Sequence, residues 1–184
     1  MRAWGLLACG LMLQGFGLLC LMIHDFGWEY VWSSLRIFTF VPPFADMRSI
    51  QAAIFSSAAG YDPQIANPAD PWGRSMNYPM LWLQIARWLG LNEEFNFILF
   101  VFGMLAAYLA TMLILAWRSG SLWMVFIFFS GASLLLIERG NNDLFILSMV
   151  ALASFLLGRV GVVVYVGATL LKFYPAFALA ALWR

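Results

Sequence analysis

The chain has 184 residues, of which 64% are hydrophobic and 10% charged, with mean hydropathy +0.86, whereas soluble domains carry about 25% charged residues. A water-soluble fold of this size cannot hide so much apolar surface, and a net charge of +1 with no basic patch or tail excludes a nucleic-acid partner. The two cysteines, Cys9 and Cys20, fall on one predicted helix where they cannot bridge, so they carry no information about redox compartment.

Four apolar stretches are long enough to span a hydrocarbon core of roughly 30 Å at about 1.5 Å per residue: 4–23, 96–117, 121–137 and 144–158. A fifth, 160–183, is interrupted by Lys172 and Pro175. The expected fold is therefore all-α, a polytopic transmembrane bundle of about five or six membrane helices. The first stretch is too long for a signal-peptide core and lacks a small-x-small cleavage site before His24, which predicts an uncleaved helix.

Placing the N-terminus in the cytoplasm leaves only Arg118 and Arg159 in the short inner turns, with Arg2 at the inner end of the first helix. All nine acids then fall outside, in agreement with the positive-inside pattern. The stretch 160–183 has two readings. A single span buries Lys172 near mid-membrane at about 2.5–3.5 kcal/mol. A hairpin of two half-helices meeting at Phe173-Tyr174-Pro175 opens Lys172 toward an outer cavity and agrees with the charge rule, so it is the expectation here.

Residues 24–95 form a predicted outer loop with short helices. The segment 46–59 has helical composition, with Asp46 as the expected N-cap and Gly60 at the stop. A turn-rich excursion follows, with prolines at 63, 68 and 71. The run 79–89 is helical again, and its Trp82 and Trp88 suit a helix lying along the headgroup zone. No nucleotide-binding glycine loop, metal-ligand cluster or nucleophile triad is present, and His24 is the single histidine. Neither a metal nor a cofactor is expected, so any chemistry rests on carboxylates, cations and amides.

In chain order stand Phe44-Ala45-Asp46, Gly60-Tyr61-Asp62-Pro63, Asn77-Tyr78-Pro79, Arg139-Gly140-Asn141-Asn142-Asp143 and Leu171-Lys172-Phe173-Tyr174-Pro175. Their order and membrane sidedness resemble the GT-C superfamily of membrane glycosyltransferases, and within it the polyprenyl-phosphate-mannose-dependent alpha-mannosyltransferases of glycosyltransferase family 87. The resemblance runs from Phe44 to Pro175 and implies a single membrane domain, 1–184, corresponding to the N-terminal part of a larger enzyme, with further helices supplied by another chain or segment. It implies transfer of a hexose, mannose first, from a polyprenyl-phosphate donor to a lipid or glycan acceptor on the outer face of the cytoplasmic membrane.

The resemblance makes Asp46 the general base, since a hydroxyl nucleophile needs a nearby carboxylate at neutral pH. Lys172, a lysine in an apolar run, is the leading cation for the departing phosphate, with Arg139 and Arg48 as further candidates; Arg48 is also placed to pair with Asp46. Asn141, Asn142 and Asp143 are expected to bond sugar hydroxyls, or in one case to cap the following helix. Tyr61, Asp62, Trp72 and Tyr78 are candidates for an acceptor groove. The competing expectations are a non-catalytic membrane scaffold or remnant, and a transporter component, for which internal repeats would be needed.

Overall fold

The structure is a computed structural model and describes residues 2–156 and 158–172. Among the described residues it is all-α, with helices α1 (Arg2–Phe26), α2 (Trp28–Ser34), α3 (Ala45–Ala58), α4 (Met80–Trp88), α5 (Glu94–Ser119), α6 (Trp123–Phe128), α7 (Gly131–Arg139), α8 (Asp143–Phe155) and α9 (Arg159–Leu171). Two of them, Ala3–Phe26 within α1 and α5, have the length and apolar composition to cross a membrane.

These two pack antiparallel and close. A Cβ on Gly5, near the start of α1, would lie 2.9 Å from the carbonyl oxygen of Trp117, near the end of α5. A side chain there meets backbone, which cannot move aside as a side chain could. The lipid-like exteriors of both helices stay uncovered, with Leu6, Leu18 and Phe102 all exposed.

The stretch 121–137 departs from the expectation of one span. It is two short helices, α6 and α7, broken at Ser130, whose extended backbone (ψ 151°) and hydroxyl accepting from the Ser133 amide make it an N-cap. Serine followed by glycine offers the chain a cap in place of another helical turn. Likewise α8 and α9 hold 13 residues each, about 20 Å at the usual rise, short of the roughly 30 Å of a hydrocarbon core. The expected five or six full-length spans therefore reduce to two such helices among the described residues, with shorter apolar ones beside them.

α9 stops at Leu171 and Lys172 has extended backbone (φ −158°, ψ 127°), so the helix does not run on through the lysine as a single span requires. The second half of the expected hairpin, with Phe173, Tyr174 and Pro175, lies outside the described residues. Trp82 of α4 is buried, and its indole N–H donates to the Leu171 carbonyl at 3.1 Å, closing off the end of α9. That role replaces the headgroup anchor expected of Trp82, while Trp88 is exposed on the same helix.

Candidate functional site

The site is assembled at the start of α3. Phe44, the N-cap residue, is in the left-handed region (φ 66°, ψ 46°), so helical geometry begins at Ala45. A non-glycine residue there costs about 1–3 kcal/mol and persists only where packing enforces it. Here Trp28 and Phe102 meet the Phe44 ring at 5.0 and 6.2 Å between ring centres, and Gly140 lies against its Cβ.

The consequence is a correction to the sequence reading: Asp46 does not cap α3. It lies in the first turn, where the helix dipole favours a carboxylate, and its oxygens are turned to other segments. Asn141 Nδ2 donates to Asp46 Oδ2 at 2.6 Å, and Arg74 lies 3.5 Å from Asp46 Oδ1.

Asn141 comes from the junction of α7 and α8. Gly140 closes α7 with φ +57°, a conformation glycine adopts without steric cost, and the chain turns directly into α8. Asn141 Oδ1 accepts the Asp143 amide at 2.8 Å, which orients the side chain and leaves Nδ2 facing Asp46. Asn142 holds the N-cap position of α8 without a side-chain bond, and the bond to the first amide of the helix comes from Asn141.

Asp143 accepts from Lys172 Nζ at 2.5 Å, bringing the end of α9 beside the start of α8. Both side chains keep more than a quarter of their surface exposed. Lys172 also stands 5.8 Å from the centre of the Tyr78 ring. Burial first, then the negative charges of Asp46 and Asp143, push the Tyr78 phenol far above its ordinary value, with Arg74 opposing them. The Tyr78 phenol thus holds its proton more tightly than a free tyrosine does, under the influence of both carboxylates.

Arg74 and Asp70 escaped the sequence reading. Asp70 is buried and accepts from Arg74 Nε at 3.3 Å and from its terminal nitrogen at 3.1 Å, while Arg74 also donates to the Ala45 carbonyl at 2.6 Å. The guanidinium lies 4.6 Å from the Trp72 ring centre and 5.3 Å from that of Phe40, an arrangement suited to its flat, weakly hydrated cation. The loop is keyed to α3 by buried Asn67, which accepts from Ser56 at 2.7 Å and donates to the Ser49 carbonyl at 3.0 Å. The available signal is that Arg74 is the only cation between Arg48 and Arg87, four residues after an aspartate.

The remaining candidates lie elsewhere. Arg48 pairs with Glu94 at 2.8 Å instead of Asp46, and lies over the Phe97 ring. Tyr61 and Asp62 are exposed, with Asp62 accepting the Gln64 amide in a local turn. Arg139 pairs with Glu138 at 2.9 Å and covers Phe40. Asn142 is fully buried beside the cluster. Asp46, Tyr78, Asn141, Asp143 and Lys172 are brought together.

No protein-family model matches the chain, and neither a curated protein nor a solved structure matches it significantly.

Proposed function

We propose that this chain is a multi-pass protein of the cytoplasmic membrane and a glycosyltransferase of the GT-C type, moving a hexose, mannose first, from a polyprenyl-phosphate donor to a lipid or glycan acceptor on the outer face. Its α6–α7 and α8–α9 segments are then broken or short helices at membrane depth, tolerated because they line a polar site. The observation that carries the reading is the Asp46 carboxylate, held by Asn141 at 2.6 Å beside Arg74, Tyr78 and the Asp143–Lys172 pair.

A carboxylate so oriented can take the proton from an acceptor hydroxyl as its oxygen bonds to the anomeric carbon. The bond from that carbon to the phosphate oxygen breaks, its electron pair leaving with the polyprenyl phosphate, and the anomeric configuration inverts. Arg74 and Lys172 are the cations at hand for the charge developing on the phosphate. Both already pair with carboxylates, which also supports a rival reading in which the network only fastens the outer loop to the helices of a non-catalytic scaffold.

The test compares wild type with Asp46→Asn in membranes for transfer of radiolabelled mannose from polyprenyl-phosphate mannose to endogenous lipid acceptors. The expected result is a fall of about 10²–10⁴ at unchanged protein level, the usual range for losing a general base. Unchanged transfer would remove Asp46 from the chemistry. Absence of transfer by wild type, with the substitution lowering stability, would favour the scaffold.

A further inference from the structure

Asn142 is fully buried, and among the described residues neither its Nδ2 nor its Oδ1 has a hydrogen-bond partner. Its side chain caps nothing, because the Asp143 amide is taken by Asn141 and the Asn142 side chain makes no bond to the start of α8. An unmade donor or acceptor in the interior costs about 1–3 kcal/mol, and an apolar side chain of similar shape removes that cost. Such a group calls for an explanation in what it meets at another stage of the protein's work. Its two chain neighbours both act in the site, Asn141 on Asp46 and Asp143 on Lys172.

Resting on the donor reading above, we propose that Asn142 is the sugar-recognising residue: when the partly exposed Asp143–Lys172 pair parts on donor binding, its amide bonds the hydroxyls of a neutral hexose. The chemistry favours a sugar over an anion. A primary amide presents a donor and an acceptor together, which a hydroxyl can meet on both counts. A phosphate only accepts and would leave the amide oxygen facing negative charge. The cluster already sets three carboxylates, Asp46, Asp70 and Asp143, against two cations, Arg74 and Lys172, so a second anion at Asn142 would be poorly compensated.

The experiment follows thermal unfolding of the full chain in phospholipid nanodiscs, alone and titrated with polyprenyl phosphate or polyprenyl-phosphate mannose. Wild type is expected to bind the sugar-bearing lipid more tightly than the bare phosphate. Asn142→Leu is expected to melt at or above wild type without ligand, to bind polyprenyl phosphate as wild type does, and to bind polyprenyl-phosphate mannose about tenfold more weakly, the loss of one or two neutral hydrogen bonds. Asn142→Met serves as a second apolar variant with a more adaptable shape.

If both variants melt well below wild type, the amide is a structural partner and the inference is overturned. If Asn142→Leu keeps the full preference for the sugar-bearing lipid, the inference alone is overturned and the donor reading stands. If wild type binds neither lipid, the donor reading falls and takes this inference with it.

Discussion

On one side of Gly140 in the chain, Glu138 and Arg139 pair with each other at 2.9 Å, and Glu138 also accepts from the Thr39 hydroxyl at 2.8 Å and the Phe40 amide at 3.0 Å. On the other side, Asn141 and Asp143 reach out to Asp46 and Lys172. The Glu138 side chain is wholly buried, whereas Asp46, Asp143 and Lys172 all keep part of their surface open. Both clusters are rich in charge and Arg139 is as open as Asp46, but only the second offers a carboxylate to something arriving from outside. Burial and prior commitment, more than residue type, separate a fastening from a candidate site.

The comparison breaks most severely at Glu138. Glu138→Ala leaves the Arg139 cation short of its partner and frees the Thr39–Phe40 segment that leads to Phe44 and Asp46. Removing one member of a buried pair costs about 3–5 kcal/mol, so detergent-solubilised protein should unfold at a clearly lower temperature. An equally stable variant would show that the pairing contributes nothing to the loop's position.

Gly140, which stands between the clusters, comes next. Gly140→Ala places a Cβ 3.0 Å from that of Phe44 at a φ of +57°. Left-handed backbone costs an alanine about 1–2 kcal/mol, with crowding added. Stability should fall by about that amount, and transfer should fall further, because the same contact sets where Asp46 faces. A loss of stability with transfer intact would separate the turn from the site.

Trp82→Phe deletes the bond to the Leu171 carbonyl, about 1 kcal/mol, and the smaller ring leaves a cavity that adds to the loss. It sharpens the comparison by loosening Lys172 while leaving the Glu138 cluster alone. Transfer that drops more than stability would locate the functional demand at the end of α9.

Legibility in the sequence followed the range of the interactions involved. The stop of α3 was readable because Gly60 takes φ +90° and Tyr61 bonds back to the Ser56 carbonyl, a local matter. The cap falls two residues earlier than the sequence suggests, at Phe44 and not Asp46, since nothing local announces that Phe44 will adopt a left-handed conformation under the packing of Trp28 and Gly140. The same holds for charges. Arg48 is two residues from Asp46 and suggested a pair, yet it points to Glu94, forty-six residues away, while Arg74 arrives through a loop folded back along α3. The apolar run 121–137 reads as one span, and the break at Ser130-Gly131 emerges only in the structure.

The smallest expected effect concerns Tyr78, whose phenol is pushed up by burial and by the nearby carboxylates. An unfolded tyrosine titrates near pH 10. With the folded value raised above that, the unfolded chain releases the proton first, so the stabilisation is complete below about pH 10 and declines as pH rises further. At pH 10.5 the loss attributable to this one group is under about 1 kcal/mol, from a limiting slope of about 1.4 kcal/mol per pH unit. Tyr78→Phe removes the titrating hydroxyl, so its melting temperature should fall less steeply than that of wild type between pH 9.5 and about 10.5. The Glu138 cluster holds no comparable group, and Glu138→Ala should keep the wild-type slope from a lower starting stability. Equal slopes for wild type and Tyr78→Phe would mean that water reaches the phenol freely, and that the carboxylate cluster is more open than its geometry indicates.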